Sequence, residues 1–94
     1  MAIISFRHKA LKRLFELNDS RGIPPAMAEK LLDVLAALHT AESPADVGLF
    51  SGWRLHPLKG NRRGWWSVTV SGNWRVIFRF AAGDASDVDF VDYH

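Results

Sequence analysis

Trp65-Trp66-Ser67-Val68-Thr69-Val70-Ser71-Gly72-Asn73-Trp74-Arg75-Val76-Ile77-Phe78-Arg79-Phe80 is the stretch that decides the fold. Trp66, Val68 and Val70 alternate with Trp65, Ser67 and Thr69. After Ser71-Gly72-Asn73, Trp74, Val76, Phe78 and Phe80 alternate with Arg75, Ile77 and Arg79. A period of two belongs to a β-strand buried on one face, and Ser-Gly-Asn between two such runs is turn chemistry. The stretch therefore reads as two antiparallel strands. If the Trp74–Phe80 set faces a core, Arg75 and Arg79 must point to the other side of the sheet, since successive side chains alternate.

Working outward, Ala82-Gly83-Asp84 makes a second turn and Ala85 to Tyr93 a last strand. Upstream, Trp53 and Leu55 alternate with Arg54 and His56, which predicts a further strand with Arg54 and His56 on the side away from the core. Glu42 to Ser51 contains Pro44 and Gly48 and reads as a connecting loop. Before it the period changes to 3.6. Met27, Leu31, Val34, Leu35 and Leu38 stripe a helix from Pro24-Pro25 to about Thr40, and Leu11, Leu14, Phe15 and Leu17 stripe one from His8 to Asn18. Asn18-Asp19-Ser20-Arg21-Gly22 separates them, and Ile3 to Phe6 reads as a short first strand. The expected fold is α+β, with two N-terminal helices packed on one face of a mainly antiparallel four- to five-stranded sheet. The expected domain is a single one over residues 1–94.

Composition narrows the function classes. At 48% hydrophobic and 23% charged, the chain is an ordinary globular one. It has no cysteine, which removes disulfides, thiolate metal sites and a thiol nucleophile. No run approaches the ~20 apolar residues of a membrane span, so no membrane partner is expected and the reading is soluble and cytoplasmic. The net charge of +2 conceals a block. From Val47 to Gly83 there is no acidic residue, while Arg54, Lys59, Arg62, Arg63, Arg75 and Arg79 are all cationic. A one-sign block on a folded segment suits a polyanion, although a solvated basic face has the same pattern.

Cutting RNA without a metal requires a base for the ribose 2′-OH, an acid for the departing 5′ oxygen and cations for the charge building on phosphorus. Histidine suits the first two roles and arginine or lysine the third. These residue types cluster twice, in His56-Pro57-Leu58-Lys59-Gly60-Asn61-Arg62-Arg63-Gly64 and in Asp92-Tyr93-His94. Alternation puts Tyr93 on the side of Val91 and Asp89, and His94 on that of Asp92. Trp65 falls in the same register as the basic residues, where it can stack on an unpaired base or simply cover the sheet. His8 and His39 read as structural or exposed. No histidine pair has zinc spacing and the aspartates of 84–92 lack a calcium-loop pattern, so neither metal nor cofactor is expected. Serine-hydrolase and Walker glycine frames are also missing.

His56-Pro57-Leu58-Lys59-Gly60, Trp66-Ser67-Val68, Asn73-Trp74-Arg75, Gly83-Asp84-Ala85 and Asp92-Tyr93-His94, in that order, resemble the HigB group of the RelE toxin superfamily. Ser5-Phe6-Arg7-His8-Lys9-Ala10-Leu11 and Leu14-Phe15-Glu16 extend the resemblance over essentially the whole chain. The resemblance implies a RelE-like fold and a messenger-RNA interferase cutting in the ribosomal A site. It also implies silencing by a HigA-type helix-turn-helix antitoxin, with operator DNA bound only through that complex. It carries functional roles onto His56, Lys59, Arg75, Asp92, Tyr93 and His94. His94 and Asp92 would share acid–base work, His56 would assist or position, Lys59 and Arg75 would hold the phosphate, and Tyr93 would position the nucleotide. Arg54, Arg62, Arg63, Trp65 and Arg79 are the expected RNA-gripping residues. Asn61 and Trp65 depart from the acidic residue and tyrosine often found there, which bears on cleavage preference. A gyrase-poisoning toxin of the related ParE group, or a non-catalytic nucleic-acid-binding module, would share the fold.

Overall fold

The computed structural model describes residues 2–50 and 52–92. Three helices precede a four-stranded sheet: α1 (Lys9–Leu17), α2 (Pro25–Thr40), α3 (Pro44–Val47), β1 (His56–Pro57), β2 (Trp65–Ser71), β3 (Trp74–Ala81) and β4 (Asp84–Asp92). The strands lie in chain order, each antiparallel to the next. A 3₁₀ turn, Gly60–Arg62, connects β1 to β2.

Local chemistry sets the helix ends. His8 caps α1 by accepting a hydrogen bond at Nδ1 from the Leu11 N–H, 3.1 Å away. Asn18 closes the helix in the left-handed region, its N–H donating to the Arg13 and Leu14 carbonyls. Pro25 opens α2 in the first turn, where its missing N–H costs nothing. Leu11 and Leu14 of α1 and Leu31, Val34, Leu35 and Leu38 of α2 are buried. They form one cluster with Val68, Val76, Phe78, Val88 and Phe90, which come from alternate positions of the strands. That cluster is the core.

Two bulges adjust the register. Val70 is an extra residue on β2 between the Thr69↔Arg75 and Ser71↔Trp74 pairs. On β4, two residues lie between Ser86 and Asp89 where only one lies between Ile77 and Arg79, and Asp87 takes φ +51. The β4 bulge keeps Ala85, Val88 and Phe90 all buried although their spacing is not a strict two.

Three local expectations change. Ile3 to Phe6 is not a regular strand, but it lies parallel along the free edge of β4 through the bridges Ile3↔Ala85 and Phe6↔Val88. The bulge interrupts the ladder there, and the Asp87 N–H donates to the Ser5 hydroxyl (2.8 Å) instead of a carbonyl. Glu42 to Ser51 is not wholly loop, because Pro44 starts the single turn α3 after the extended Ser43. Residues 53–56 are not one regular strand, since Arg54 takes φ +50 and breaks the extended backbone. Trp53 still meets the sheet, its carbonyl accepting from the Thr69 N–H at 2.7 Å. Among the described residues, no helix is long and apolar enough to cross a membrane.

Candidate active site and nucleic-acid interface

Cross-strand partners share a face, so the registers define what each side of the sheet presents. Val68–Val76–Phe90 is a row on the core side. On the other side run three rows: Thr69–Arg75–Val91, then His56–Ser67–Ile77–Asp89, then Trp65–Arg79–Ser86. Rows on one face are ~7 Å apart along a strand, and neighbouring strands are ~4.8 Å apart. His56, Trp65, Arg75 and Arg79 therefore line one face, as the alternation predicts.

The floor of this face is dry. Ser67 is 1% and Ile77 2% exposed, and Leu58 and Ile77 are buried outside the main core cluster. Charges above an apolar floor are screened less than charges fully in water, which strengthens their attraction for a phosphate.

Arg75 is anchored to the backbone. Its Nη1 donates to the Gly72 carbonyl at 2.6 Å and the Trp74 carbonyl at 3.1 Å. The Gly72 turn, with φ +53 on a residue that tolerates it, thus fixes the guanidinium at the end of the sheet. His56 is exposed on β1, with its Nδ1 3.1 Å from the Arg54 carbonyl. Lys59 precedes the 3₁₀ turn and is exposed, as are Arg54, Arg62 and Arg63. Trp65 is half-buried at the start of β2, with the guanidinium carbons of Arg7 and Arg79 5.7 and 5.9 Å from its ring centroid. Arg79 also approaches the Asp87 carboxylate at 3.8 Å.

Asp92 stands apart. It pairs with Trp74, whose ring stacks on Phe90, so its register is that of the core side and it is exposed at the sheet's rim. The carboxylate that shares a row with His56 is Asp89, whose Oδ1 accepts from the Phe90 N–H at 2.9 Å. Tyr93 and His94 lie outside the described residues. Two of the remaining histidines have structural duties: His8 caps α1, and His39 accepts from the Ile3 N–H and packs on Phe15.

Sequence reasoning missed Arg7 and Asp89. Arg7 comes from the N-terminal segment, and only its placement along β4 brings it to Trp65. Asp89 was legible, because it keeps the parity of Val91, which faces the same way as Arg75. No group of three or more His, Asp or Glu residues that could hold a metal occurs among the described residues.

A small α+β protein with a cationic, tryptophan-bearing sheet face over a dry floor is the class these observations define. Residues 4–94 match the HigB-like toxin family, described as RelE-like toxin of type II toxin-antitoxin system HigB, and the chain belongs to that family. It is 44% identical over 92 residues to Endoribonuclease HigB of Proteus vulgaris, covering 98% of this chain and 99% of that one. It is 31% identical over 93 residues to Toxin HigB-1 of Vibrio cholerae serotype O1 (strain ATCC 39315 / El Tor Inaba N16961), covering 97% and 96%. Membership in a type II toxin–antitoxin family implies an antitoxin partner.

Proposed function

We propose that this toxin is an endoribonuclease that cuts messenger RNA on the ribosome by metal-free attack of the ribose 2′-OH on the adjacent phosphate. The observation that carries the reading is the shared face of His56 and Arg75 above buried Ser67 and Ile77, in a chain whose 44%-identical relative is named an endoribonuclease.

In the reaction, a base removes the 2′-OH proton as O2′ bonds to phosphorus. The P–O5′ bond breaks, an acid protonates O5′, and a 2′,3′-cyclic phosphate and a 5′-hydroxyl result. Arg75 is suited to hold the non-bridging oxygens, because a guanidinium already anchored to two carbonyls needs no reorganisation as charge develops. Lys59 supplies a second, mobile cation. His56 is the proton-carrying group that the sheet itself presents to this face. Asp92 would act from the rim, and the family resemblance gives His94 a share of the acid–base work and Tyr93 the positioning of the nucleotide. Arg75 turns toward that rim by bonding the carbonyl of Trp74, the residue paired with Asp92. In this reading the protein works in the cytoplasm and a helix-turn-helix antitoxin silences it. Operator DNA is engaged only through that complex.

The test is to map transcript 5′ ends after brief induction and to analyse the product termini. New 5′-hydroxyl ends facing 2′,3′-cyclic or 3′-phosphates are expected. Products bearing a 3′-hydroxyl refute the mechanism, and intact transcripts with damaged DNA indicate the gyrase-poisoning class. His94→Gln removes the imidazole while keeping a polar side chain of similar size, and it is expected to abolish growth arrest at equal expression.

A further inference from the structure

We propose that Arg7, Trp65 and Arg79 form a one-nucleotide subsite, in which an unpaired base stacks on Trp65 while the two guanidiniums grip its phosphate. The proposal rests on the ribonuclease reading and adds Arg7 to the substrate-binding residues.

Two like charges are brought to one indole, at 5.7 and 5.9 Å from its centroid. Cation–π attraction favours each contact separately, but the two arginines repel each other. The compensation is partial. Asp87 reaches Arg79 only at 3.8 Å, and the two side chains remain 55% and 41% exposed. An ion pair that long and that wet is weak and exchanges readily for a better anion. A phosphate is such an anion, since it can accept bidentate hydrogen bonds from arginine.

Position supports the same assignment. The Trp65–Arg79 row lies ~7 Å beyond the His56 row along the strands, and the Arg75 row lies ~7 Å to the other side. An RNA strand that runs along these rows with its scissile phosphate between Arg75 and His56 would carry its next nucleotide over Trp65. The backbone holds the pieces in place. Arg7 is set by its N–H bond to the Val88 carbonyl (2.9 Å), and Trp65 by its carbonyl bond from the Leu58 N–H (2.8 Å).

The experiment measures binding of the full chain to a single-stranded RNA made uncleavable by 2′-O-methyl groups, with one abasic site moved along it. Trp65→Ala is expected to weaken binding about 5- to 150-fold, the range for losing one base–aromatic stack. One abasic position should reproduce that loss and add nothing to Trp65→Ala. Trp65→Tyr should restore most of the affinity. Arg7→Ala should weaken binding and lower the salt slope by about 0.7, the value for one phosphate on a single strand. Unchanged affinity in Arg7→Ala and Trp65→Ala, with Arg75→Ala still impaired, overturns the subsite and leaves the ribonuclease reading standing. Wild-type protein that does not bind this RNA and does not cut transcripts when induced in cells overturns both. Loss of antitoxin binding alone in Arg7→Ala assigns the cluster to the protein partner and also overturns the subsite.

Discussion

The two faces of β3 obey different rules, although they belong to the same eight residues. One face carries Trp74, Val76, Phe78 and Phe80 toward the helices, with Val76 and Phe78 fully buried. The other carries Arg75, Ile77 and Arg79, of which only Ile77 is buried. The first face is held by the apolar area it buries. The second buries only Ile77 and leaves its arginines at the surface. A change on the core face should act on everything through folding, and one at an open-face arginine mainly on substrate.

The largest expected effect is on the core face. Phe78→Ala should destabilise the fold by about 3–5 kcal/mol, read as a fall in the urea midpoint, and toxicity should disappear with the folded population. An unchanged midpoint would break the contrast between the faces. Next comes Arg75→Ala, which should lower the single-turnover cleavage rate by about 10²–10³. Its stability should fall only by about 0.5–1.5 kcal/mol per lost carbonyl bond. Lys59→Ala sharpens the point, because an unanchored cation should change affinity more than rate. Equal rate losses in both variants at saturating ribosome would remove the distinction.

A smaller effect belongs to the turn between β3 and β4. Ala82 has φ +53, a conformation that costs an L-residue about 1–2 kcal/mol. Ala82→Gly should therefore stabilise the protein by about 0.5–1 kcal/mol after the added chain entropy is offset, with cleavage unchanged. Thermal unfolding of the two proteins side by side measures it. The smallest effect lies off the sheet altogether. Hydrogen bonds from the Arg21 side chain and backbone N–H hold the Asp19 carboxyl at about 2, against an ordinary 3.8. A carboxyl depressed in the folded state contributes stability above pH 3.8, and the contribution fades as pH falls through about 2. The stability gap between wild type and Asp19→Asn should accordingly close between those two values.

The hairpin was legible because Trp66 to Phe80 repeats strictly at two, and both long helices because their leucines repeat at 3.6. What escaped was set by single residues in unusual conformations. Arg54 at φ +50 ends a strand that its neighbours favour, and nothing in an arginine announces a left-handed backbone. The Asp87 bulge did leave a trace, since Ala85, Val88 and Phe90 are spaced three and two. In the site, His56, Trp65, Arg75 and Arg79 followed from parity alone. Asp92 follows parity to the opposite register from Arg75, and its part in the chemistry rests on the family resemblance. Arg7 could not be found by parity, because its neighbour in space is 58 positions away in sequence.

The pairing of Ile3 to Arg7 with β4 also has a consequence for synthesis. Ser5 and Asp87 are separated by 82 positions, so the edge carrying Arg7 closes only after the sheet strands have been made. At ~5–20 residues per second, synthesis from the end of β3 at Ala81 to the end of β4 at Asp92 takes about 0.5–2 s, so the β2–β3 hairpin is available before its final neighbour on the sheet. A nascent copy thus lacks the backbone contacts that bring Arg7 to Trp65 until β4 has emerged.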